Sequence, residues 1–327
     1  MLASWKHRFA RLSWTLLALA LALPLHAAEP EGPIRLVVGF PPGGGADYVA
    51  RQVARYLTQE LSQSVIVENK PGANGIIAAT EVAHAAPDGH TLLLGVTATQ
   101  SINPNLYSKL PYDPIRDFTP ISEVGSTPLV LVVSPSMPVK SVPDFIHYVK
   151  QHNGPVYFAS AGNGNITHMA AELFILSTDT RNLSHIPYKG SSPAITDLLG
   201  GRVSAYFDTL PSSMPFIRSG QLHALGVTSA RRAQALPDLP TIQEQGVPGY
   251  EATAWFGLFG PSKLDPDTTQ RLYKALQHAF AQPEAQQLMT NQGLEVDIDT
   301  PQHFSAMLKA DVARWHTVTT QAHIHLD

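Results

Sequence analysis

The chain has 327 residues, of which 22 are basic, 26 are acidic and none is cysteine. The missing cysteines exclude disulfides, a thiol nucleophile, cysteine-ligated zinc and a lipid anchor on an N-terminal cysteine. The formal net charge of −4, with histidine neutral, comes without a basic patch and argues against a nucleic-acid partner.

The first 28 residues have the features of an export signal. Basic residues stand before an apolar run at 14–25, and small residues follow at Ala27 and Ala28. The run is shorter than a membrane span needs, and an uncleaved N-terminal anchor is the alternative. We expect cleavage after Ala27 or Ala28, which releases a mature protein into the periplasm of a Gram-negative cell.

A strand, a glycine-rich loop and a helix follow one another near the start of the mature chain. Residues 34–38 are a β-branched, apolar run of the kind buried in a parallel sheet. Residues 47–61 carry apolar side chains at helical spacing, with Asp47 as the expected N-cap. Free N–H groups at the helix start, beside a loop that lets a ligand approach closely, predict an anion site. An ordinary turn that binds nothing is the alternative.

This loop supplies the first group of candidate ligand-binding residues. It has neither the Walker lysine motif nor the G-x-G-x-x-G pattern, so we expect no nucleotide and no other cofactor there. A cradle for a small anion remains. The candidates are Phe40, Pro41, Gly43, Gly44, Gly45, Ala46 and Asp47.

Two more β–α units follow, and the second adds candidates. A strand at 91–96 ends in the polar residues Thr97 and Thr99. In open α/β sheets the carboxyl ends of neighbouring strands face the same crevice, so we expect both threonines near the anion site. The other elements expected up to residue 152 are a strand at 65–68, a helix at 76–85, a long connection at 101–120, a strand at 121–133 and a helix at 142–152 that Ser141 caps.

The opening pattern recurs about 120 residues later in the chain. A strand at 156–159, a loop of small and amide residues and a helix at 167–176 predict a second anion-binding helix start. We expect two lobes that grip one ligand from both sides, although chance repetition of a common unit is the alternative. The second group of candidates is Ser160, Gly162, Asn163, Gly164, Asn165 and Thr167.

The rest of the chain continues the second lobe and returns to the first. Asp208 ends an expected strand at 205–207 and is the last candidate residue. The other expected elements are a helix up to residue 199, a helix at 211–219, a strand at 222–227, a polar loop with a short helix at 231–248, a strand at 255–259, and helices at 267–280, 283–291 and 301–322.

The motifs GFPPGGGAD, ENKPGANG, SAGNGN, HIPYKGSSPAITDLLGGRV and WFGLFGP, in this order, resemble the Bug/TctC family. These are the substrate-binding proteins of tripartite tricarboxylate transporters. The resemblance implies an α/β, two-lobed periplasmic-binding-protein fold of type II, each lobe a mixed sheet flanked by helices. It places lobe 1 at 29–126 and 226–327 and lobe 2 at 127–225, with crossing strands near 124–133 and 224–227.

The resemblance also implies what the protein binds and works with. The family holds a ligand carboxylate through backbone N–H groups and ordered waters, at loops that correspond to 40–47 and 160–167 here. The ligand would be a di- or tricarboxylate, an acidic amino acid or an aromatic acid, delivered by a monomer to membrane subunits of the transporter. Gly39, Asn165 and Ile166 depart from common family residues, so the ligand cannot be copied from a relative.

Three polar residues near these loops have alternative roles. Asp47 is either a helix cap or a partner for a water or a ligand ammonium, and in the latter case Asp47→Asn would weaken only ammonium-bearing ligands. Asp208 offers the same choice between a turn and a ligand contact. His168 is a surface or partly buried histidine, or else it adds pH dependence to the cleft.

Catalysis and metal binding find little support in the sequence. There is no G-x-S-x-G elbow and no cysteine, and no closely spaced Glu/Asp pair suggests acid–base catalysis, so we expect no enzyme activity; an exported hydrolase or isomerase is the less favoured alternative. His323 and His325 lack a third ligand, so no metal site is expected. A binding protein that serves a sensor instead of a transporter would need the same closing cleft and stays open as an alternative.

Overall fold

A computed structural model of the protein describes residues 32–321 and 324–326. The predicted export signal, the predicted last residue of the C-terminal helix at 322 and His323 lie outside the described residues. The chain from Pro33 onward forms one compact unit. Across the described ranges, we find no helix with the length and apolar character to cross a bilayer.

The first lobe is built on three parallel strands, β1 (Ile34–Val38), β2 (Val65–Asn69) and β3 (Thr91–Val96), which lie in the order β2, β1, β3. The apolar residues of β1 are buried, as its β-branched sequence predicts. Helix α1 covers the sheet with Val49, Val53 and Leu57, which recur every four residues and are fully buried. These elements are β1 (Ile34–Val38), α1 (Gly45–Leu61), β2 (Val65–Asn69), α2 (Ile76–Ala83) and β3 (Thr91–Val96).

One long strand, β4 (Phe118–Val133), belongs to both lobes. Its first part pairs with β9 (Thr253–Pro261), which also pairs with β3 and so completes the first sheet. Its last residues pair with β7 (Ala205–Thr209) and β8 (His223–Val227) of the second lobe. The chain returns to the first lobe between β8 and β9, where the amide of Ala252 donates to the carbonyl of Thr228 at 3.0 Å.

The second lobe repeats the β–α arrangement of the first. Strand β5 lies between β6 and β7 and is parallel to both. Phe145, Phe158, Phe174 and Phe207 fill its core and are fully buried. The elements are α4 (Val142–Gln151), β5 (Val156–Ser160), α5 (Ile166–Thr178), β6 (Leu183–Pro187), α6 (Ser191–Leu199) and α7 (Leu210–Arg218).

Helices from the C-terminal part of the chain pack on the first lobe. Phe280 of α8 lies against Tyr56 of α1, with ring centroids 5.3 Å apart. Phe304 of α10 packs against Trp255 and Phe259 of β9. The remaining elements are α3 (Asn103–Leu106), α8 (Pro266–Phe280), α9 (Pro283–Thr290), the two-residue strand β10 (Glu295–Val296) and α10 (Pro301–Gln321).

Four local predictions are wrong. Helix α1 begins at Gly45, with Gly44 as N-cap, so Asp47 lies inside the first turn. A π-helical turn (Ala98–Ile102) and α3 occupy the start of the expected connection at 101–120. Residues 231–248 form turns without a helix. Asp208 lies within β7, because the pairing with β4 continues to Thr209.

Candidate functional site

A cavity lies between the two lobes. It is open to the carboxyl ends of strands from both lobes, which is where α/β sheets bind ligands. The first lobe lines it with the glycine loop after β1 and with the end of β3. The second lobe contributes the loop after β5 and the starts of three helices. Residues 254 and 256 of β9 form part of the wall.

Four helix N-termini meet at this cavity. Gly45 begins α1, Ile166 begins α5, Ser191 begins α6 and Thr209 is the N-cap of α7, and all four residues line the cavity. N–H groups in the first turn of a helix have no acceptor within the helix, and each N-terminus carries a partial positive charge. Four positive helix ends therefore face the cavity, and among the residues that the structure describes its lining contains no lysine, arginine, aspartate or glutamate.

Three of these four helices, α1, α6 and α7, have no side chain that caps their N-terminus. Among the helices that do not line the cavity, α4 and α8 are capped by Ser141 and Asp265, whereas α2 and α9 have no side-chain cap either. A side-chain cap would occupy the N–H groups that a ligand needs. The uncapped helix starts at the cavity thus leave donors available to an anion.

The glycine loop of the first lobe is held by a buried carboxylate. Asp47 accepts hydrogen bonds from the Gly43 amide at 3.0 Å, from Arg51 at 2.9 and 3.0 Å, and from Asn69 at 2.9 Å. Asn69 also donates to the Phe40 carbonyl at 2.9 Å. Burial alone would raise the pKa of Asp47, but these hydrogen bonds lower it, so the carboxylate stays ionised. Gly43 takes a φ of 84°, which favours glycine.

The matching loop of the second lobe bonds directly to neutral side chains, and the Glu172 carboxylate lies 3.3 Å from Nε2 of one of them, His168. The Asn165 side chain caps α5 by accepting from the Thr167 amide at 3.1 Å. The Thr167 hydroxyl accepts from the Ala161 amide at 2.8 Å. The Gly164 amide donates to Nδ1 of His168 at 3.1 Å, which places the proton of the neutral ring on Nε2.

A stacked pair of histidines packs against this second loop from the interior of the lobe. The rings of His168 and His185 stack with centroids 3.9 Å apart, and Nε2 of His185 lies 2.6 Å from the Ser160 hydroxyl. Burial, together with the neighbouring His168, lowers the pKa of His185 to about 3. His185 is therefore neutral at physiological pH.

Asp208 is fully buried beneath the cavity and has its own partners. The hydroxyls of Ser191, Ser212 and Ser213 donate to its carboxyl group, at 2.8 Å from Ser191 and 2.7 Å from Ser213. Burial raises its pKa. Asp208 organises the starts of α6 and α7 and is not part of the cavity wall.

The structure brings together about half of the predicted site residues. Those that line the cavity are Phe40, Pro41, Gly44, Gly45, Ala46, Thr97, Asn165 and Thr167. Gly162 and Asn163 lie at an adjoining opening that shares Phe40, Pro41 and Ala161 with the cavity. Asp47, Ser160, Gly164 and Asp208 are buried behind the wall, whereas Gly43 is exposed and bonds to Asp47 through its amide. Thr99 bonds to the backbone of Val96.

Sequence reasoning missed several wall residues. Ser191 and Thr209 could have been found, since each marks a helix start after a strand, which is the rule applied to the two loops. Val96, Ala254 and Phe256 carry no such signal, because apolar strand residues are usually core. Within the described ranges, no group of three or more histidine, aspartate or glutamate side chains is placed to hold a metal ion.

The lobes touch each other around the cavity. The amide of Asn165 donates to the Asn74 side chain of the first lobe at 3.1 Å. The Ser192 hydroxyl donates to the Pro42 carbonyl at 2.8 Å. Each of the two loops therefore contacts the opposite lobe beside the cavity.

This fold and this site define a two-lobed binding protein whose cleft is built for a small anion. Residues 49–324 match the family model described as the tripartite tricarboxylate transporter family receptor. The chain belongs to this family, and the predicted two-lobed periplasmic-binding-protein fold is confirmed.

Similar proteins cover nearly the whole chain. Protein BugT of Bordetella pertussis is 37% identical over 303 residues, which span 92% of this chain and 93% of that protein. The structure of R. palustris Rpa4515 with adipate has 34% identity and a TM-score of 0.88, covering 91% of this chain and 99% of that one. The structure of MatC from Rhodopseudomonas palustris with bound malate has 32% identity and a TM-score of 0.83, covering 88% of this chain and 99% of that one.

Proposed function

We propose that the protein is a periplasmic receptor that binds a small carboxylate between its lobes and delivers it to the membrane subunits of a tripartite tricarboxylate transporter. One observation carries the proposal: four helix N-termini, three of them uncapped, face one interlobe cavity that has no charged side chain in its wall. Such an arrangement attracts an anion through backbone N–H groups and helix dipoles. The adipate and malate complexes of related proteins support the carboxylate assignment.

The energetics suit a receptor that must also release its ligand. A helix dipole contributes roughly 0.3–1 kcal/mol when exposed and up to about 2 kcal/mol when partly buried. Hydrogen bonds to a charged group contribute about 1.5–3 kcal/mol each. A few of each, after the cost of ordering the ligand, reach about 8 kcal/mol, which corresponds to a micromolar Kd. A lysine or arginine clamp is not needed for that affinity.

Ligand binding is coupled to closure in this proposal. The carboxylate bridges helix starts from both lobes, so it stabilises the closed arrangement more than an open one. The Asn165–Asn74 and Ser192–Pro42 hydrogen bonds add to closure only when the loops meet. The closed face is then what a membrane partner would recognise.

A thermal-shift screen tests the binding half of the proposal. The full-length chain is expressed in a Gram-negative host, recovered from the periplasmic fraction, unfolded and refolded to remove bound ligand, and screened against C4–C6 dicarboxylates, citrate, acidic amino acids and aromatic acids. A ligand at a hundredfold excess over its Kd adds about 2.7 kcal/mol of stability. A saturable shift is expected with at least one carboxylate. A folded protein with no shift across the panel would overturn the proposal.

Uptake measurements test the delivery half. A strain that lacks the receptor gene should lose uptake of the radiolabelled ligand, and the wild-type gene should restore it. Restoration should fail with a variant that folds but does not bind. Unchanged uptake in the deletion strain, with binding intact in vitro, would argue for a role in sensing.

A further inference from the structure

The motif ENKPGANG covers the end of β2 and the loop at 70–75 that follows it. All residues of this loop are described by the structure, and none of them lines the cavity. Gly75 nevertheless packs against both ligand-facing segments of the first lobe. A Cβ atom on Gly39 would lie 2.7 Å from its Cα atom. A Cβ atom on Gly75 itself would collide with the Thr99 methyl group and lie 3.4 Å from the Phe40 ring.

Asn74 joins the same loop to the second lobe. Its Oδ1 accepts a hydrogen bond from Nδ2 of Asn165 at 3.1 Å, and we call this contact the interlobe bond. Asn165 caps α5 and lines the cavity. The backbone of Asn74 has φ 51° and ψ 38°, in the left-handed region that asparagine tolerates better than most residues. The loop thus holds an uncommon conformation that carries the Asn74 side chain to the other lobe.

Hydrogen bonds inside the first lobe fix which atom of Asn74 faces the cleft. The Tyr112 hydroxyl donates to the Thr99 carbonyl at 2.6 Å, so its oxygen accepts from the Asn103 amide at 3.5 Å. Asn103 also donates to the Asn74 carbonyl at 3.2 Å. The side-chain oxygen of Asn103 then accepts from Nδ2 of Asn74 at 2.8 Å. Oδ1 is therefore the atom of Asn74 that is left for Asn165.

The second lobe requires the same direction of bonding. Oδ1 of Asn165 accepts from the backbone amide of Thr167 at 3.1 Å, and a backbone amide can only donate. Nδ2 of Asn165 is then the atom that faces Asn74, and its second hydrogen is used by neither bond. A backbone carbonyl at Thr99 and a backbone amide at Thr167 fix every donor and acceptor between them. The interlobe bond therefore has one possible direction.

Separation of the lobes breaks the interlobe bond. Its two residues are 91 positions apart in the chain and belong to different lobes. A ligand that enters the cleft before the lobes meet does not need this bond in order to associate. A ligand held between the lobes leaves only when they part, so the bond slows release.

We infer that Asn74 is a positioning residue that does not touch the ligand. It holds the Asn165 amide group in the orientation that caps α5, joins the two lobes and so sets the rate of ligand release. The inference rests on the proposed function and deepens it, because it assigns ligand retention to a loop outside the cavity. Since the bond lies between two protein groups, its effect is the same for every ligand.

A pair of glycine substitutions tests the inference. Asn74→Gly removes the side chain and keeps the left-handed backbone, which glycine adopts readily. Ser62→Gly is the matched control: Ser62 has φ 52° and ψ 29°, is exposed, and lies at the end of α1 opposite the cavity. The refolded full-length proteins are titrated with adipate, malate, citrate, aspartate and nicotinate by calorimetry. Stopped-flow mixing and dilution give kon and koff for each acid that binds.

Asn74→Gly should raise Kd by about 3- to 10-fold, as expected for one neutral hydrogen bond. The rise should lie in koff, with kon changed by about twofold at most, and should be the same for every acid that binds. Ser62→Gly should match the wild type. An unchanged koff in Asn74→Gly would overturn the inference, and so would a loss confined to some acids, which would place Asn74 in contact with them. Wild-type protein that is folded and binds none of the acids would overturn the proposed function itself.

A double-mutant cycle separates the interlobe bond from the other bonds of Asn74. Asn165→Ser keeps a hydroxyl that can cap α5 and removes the amide that donates to Asn74. In this background Asn74→Gly should change koff by about twofold at most, because the interlobe bond is already lost. A further rise as large as in the wild-type background would overturn the inference and show that Asn74 acts through Asn103 alone.

Discussion

The two loops that face each other across the cleft both hold a helix start toward the cavity. The first loop is held by bonds to a carboxylate, and the second by bonds to neutral side chains. In the first lobe a charged group, Asp47, draws in the Gly43 amide and ties the loop to Arg51 and Asn69. In the second lobe the groups that bond to the loop are neutral, namely Asn165, Thr167 and His168 of the His168–His185 stack, and the Glu172 carboxylate lies behind them, 3.3 Å from Nε2 of His168. The start of a helix can thus be held toward a ligand by a carboxylate that bonds directly to the loop or by neutral side chains that separate the loop from the charge.

The difference has consequences for pH. A carboxylate with a lowered pKa stays ionised through the mildly acidic range, whereas a buried histidine resists protonation only at a cost in stability. The first loop should therefore keep its geometry when the medium acidifies, and the second should weaken first. Four experiments test this comparison.

The largest loss of ligand affinity is expected from a negative charge placed in the loop of the second lobe. Asn165→Asp keeps the ability to cap α5 but puts a carboxylate in the cavity wall. Two like charges a few ångströms apart repel by several kcal/mol, so carboxylate affinity should fall on the order of 100-fold or more while the Tm changes little. Calorimetry measures the affinity, and thermal unfolding measures the Tm. Asn153→Asp, at an exposed position, is the control and should bind normally. Equal binding by both variants would rule out a carboxylate next to Asn165.

The next largest loss of affinity should come from crowding the contact between the start of α1 and the N-cap of α7. A Cβ atom added at Gly45 would lie 2.5 Å from the Thr209 hydroxyl of the other lobe, whereas one at Gly44 would meet neighbours only at 3.8 Å. Gly45→Ala should hinder closure and weaken ligand binding by about 10- to 30-fold. Gly44→Ala should weaken ligand binding by about threefold at most. Similar Kd values for the two variants would mean that these two helix starts do not approach each other when the ligand is bound.

Removing the charge of Asp47, which holds the first loop, should lower stability and ligand affinity moderately. Asp47→Asn replaces one acceptor oxygen by an NH₂ donor, so it loses one of the two Arg51 bonds together with the bond from Gly43 or from Asn69, and it should lower the free energy of unfolding by about 1–3 kcal/mol. Affinity should fall by about tenfold or less, and equally for all ligands, because Asp47 is occupied by protein donors. The Arg51 side chain is 54% exposed, so Arg51→Ala should lower the free energy of unfolding by less than about 1 kcal/mol. A loss confined to ammonium-bearing ligands would restore a direct ligand role for Asp47.

The smallest effect concerns pH and the second loop. The pKa of His185 is about 3 in the folded protein against 6.5 for the free side chain, so its contribution to stability is present above pH 6.5 and is lost as pH falls from 6.5 toward 3. Wild type should lose up to about 2 kcal/mol more than His185→Asn between pH 7.5 and pH 5. Chemical unfolding at both pH values gives the difference. Parallel pH profiles for the two proteins would show that His185 is not a buried neutral group.

The sequence predicted most of the elements and both loops from local chemistry. Apolar β-branched runs, the helical spacing of Val49, Val53 and Leu57, and the Ser141 cap depend on neighbours a few residues away, and the structure agrees with them. The start of α1 was misplaced because Asp is a good N-cap. Its carboxylate is instead drawn to Arg51 and Asn69, the latter 22 residues away.

Local pattern therefore determined the strands, most of the helices, the two glycine- and asparagine-containing loops and the absence of cysteine chemistry. Only the tertiary structure decided which groups form the cavity wall. It added the helix starts at Ser191 and Thr209, brought in Phe256 and Ala254 from a strand that returns late in the chain, and placed Asp47 and Asp208 behind the wall. The physical reason is that hydrogen-bond satisfaction and burial depend on groups distant in the chain, which no local pattern can specify.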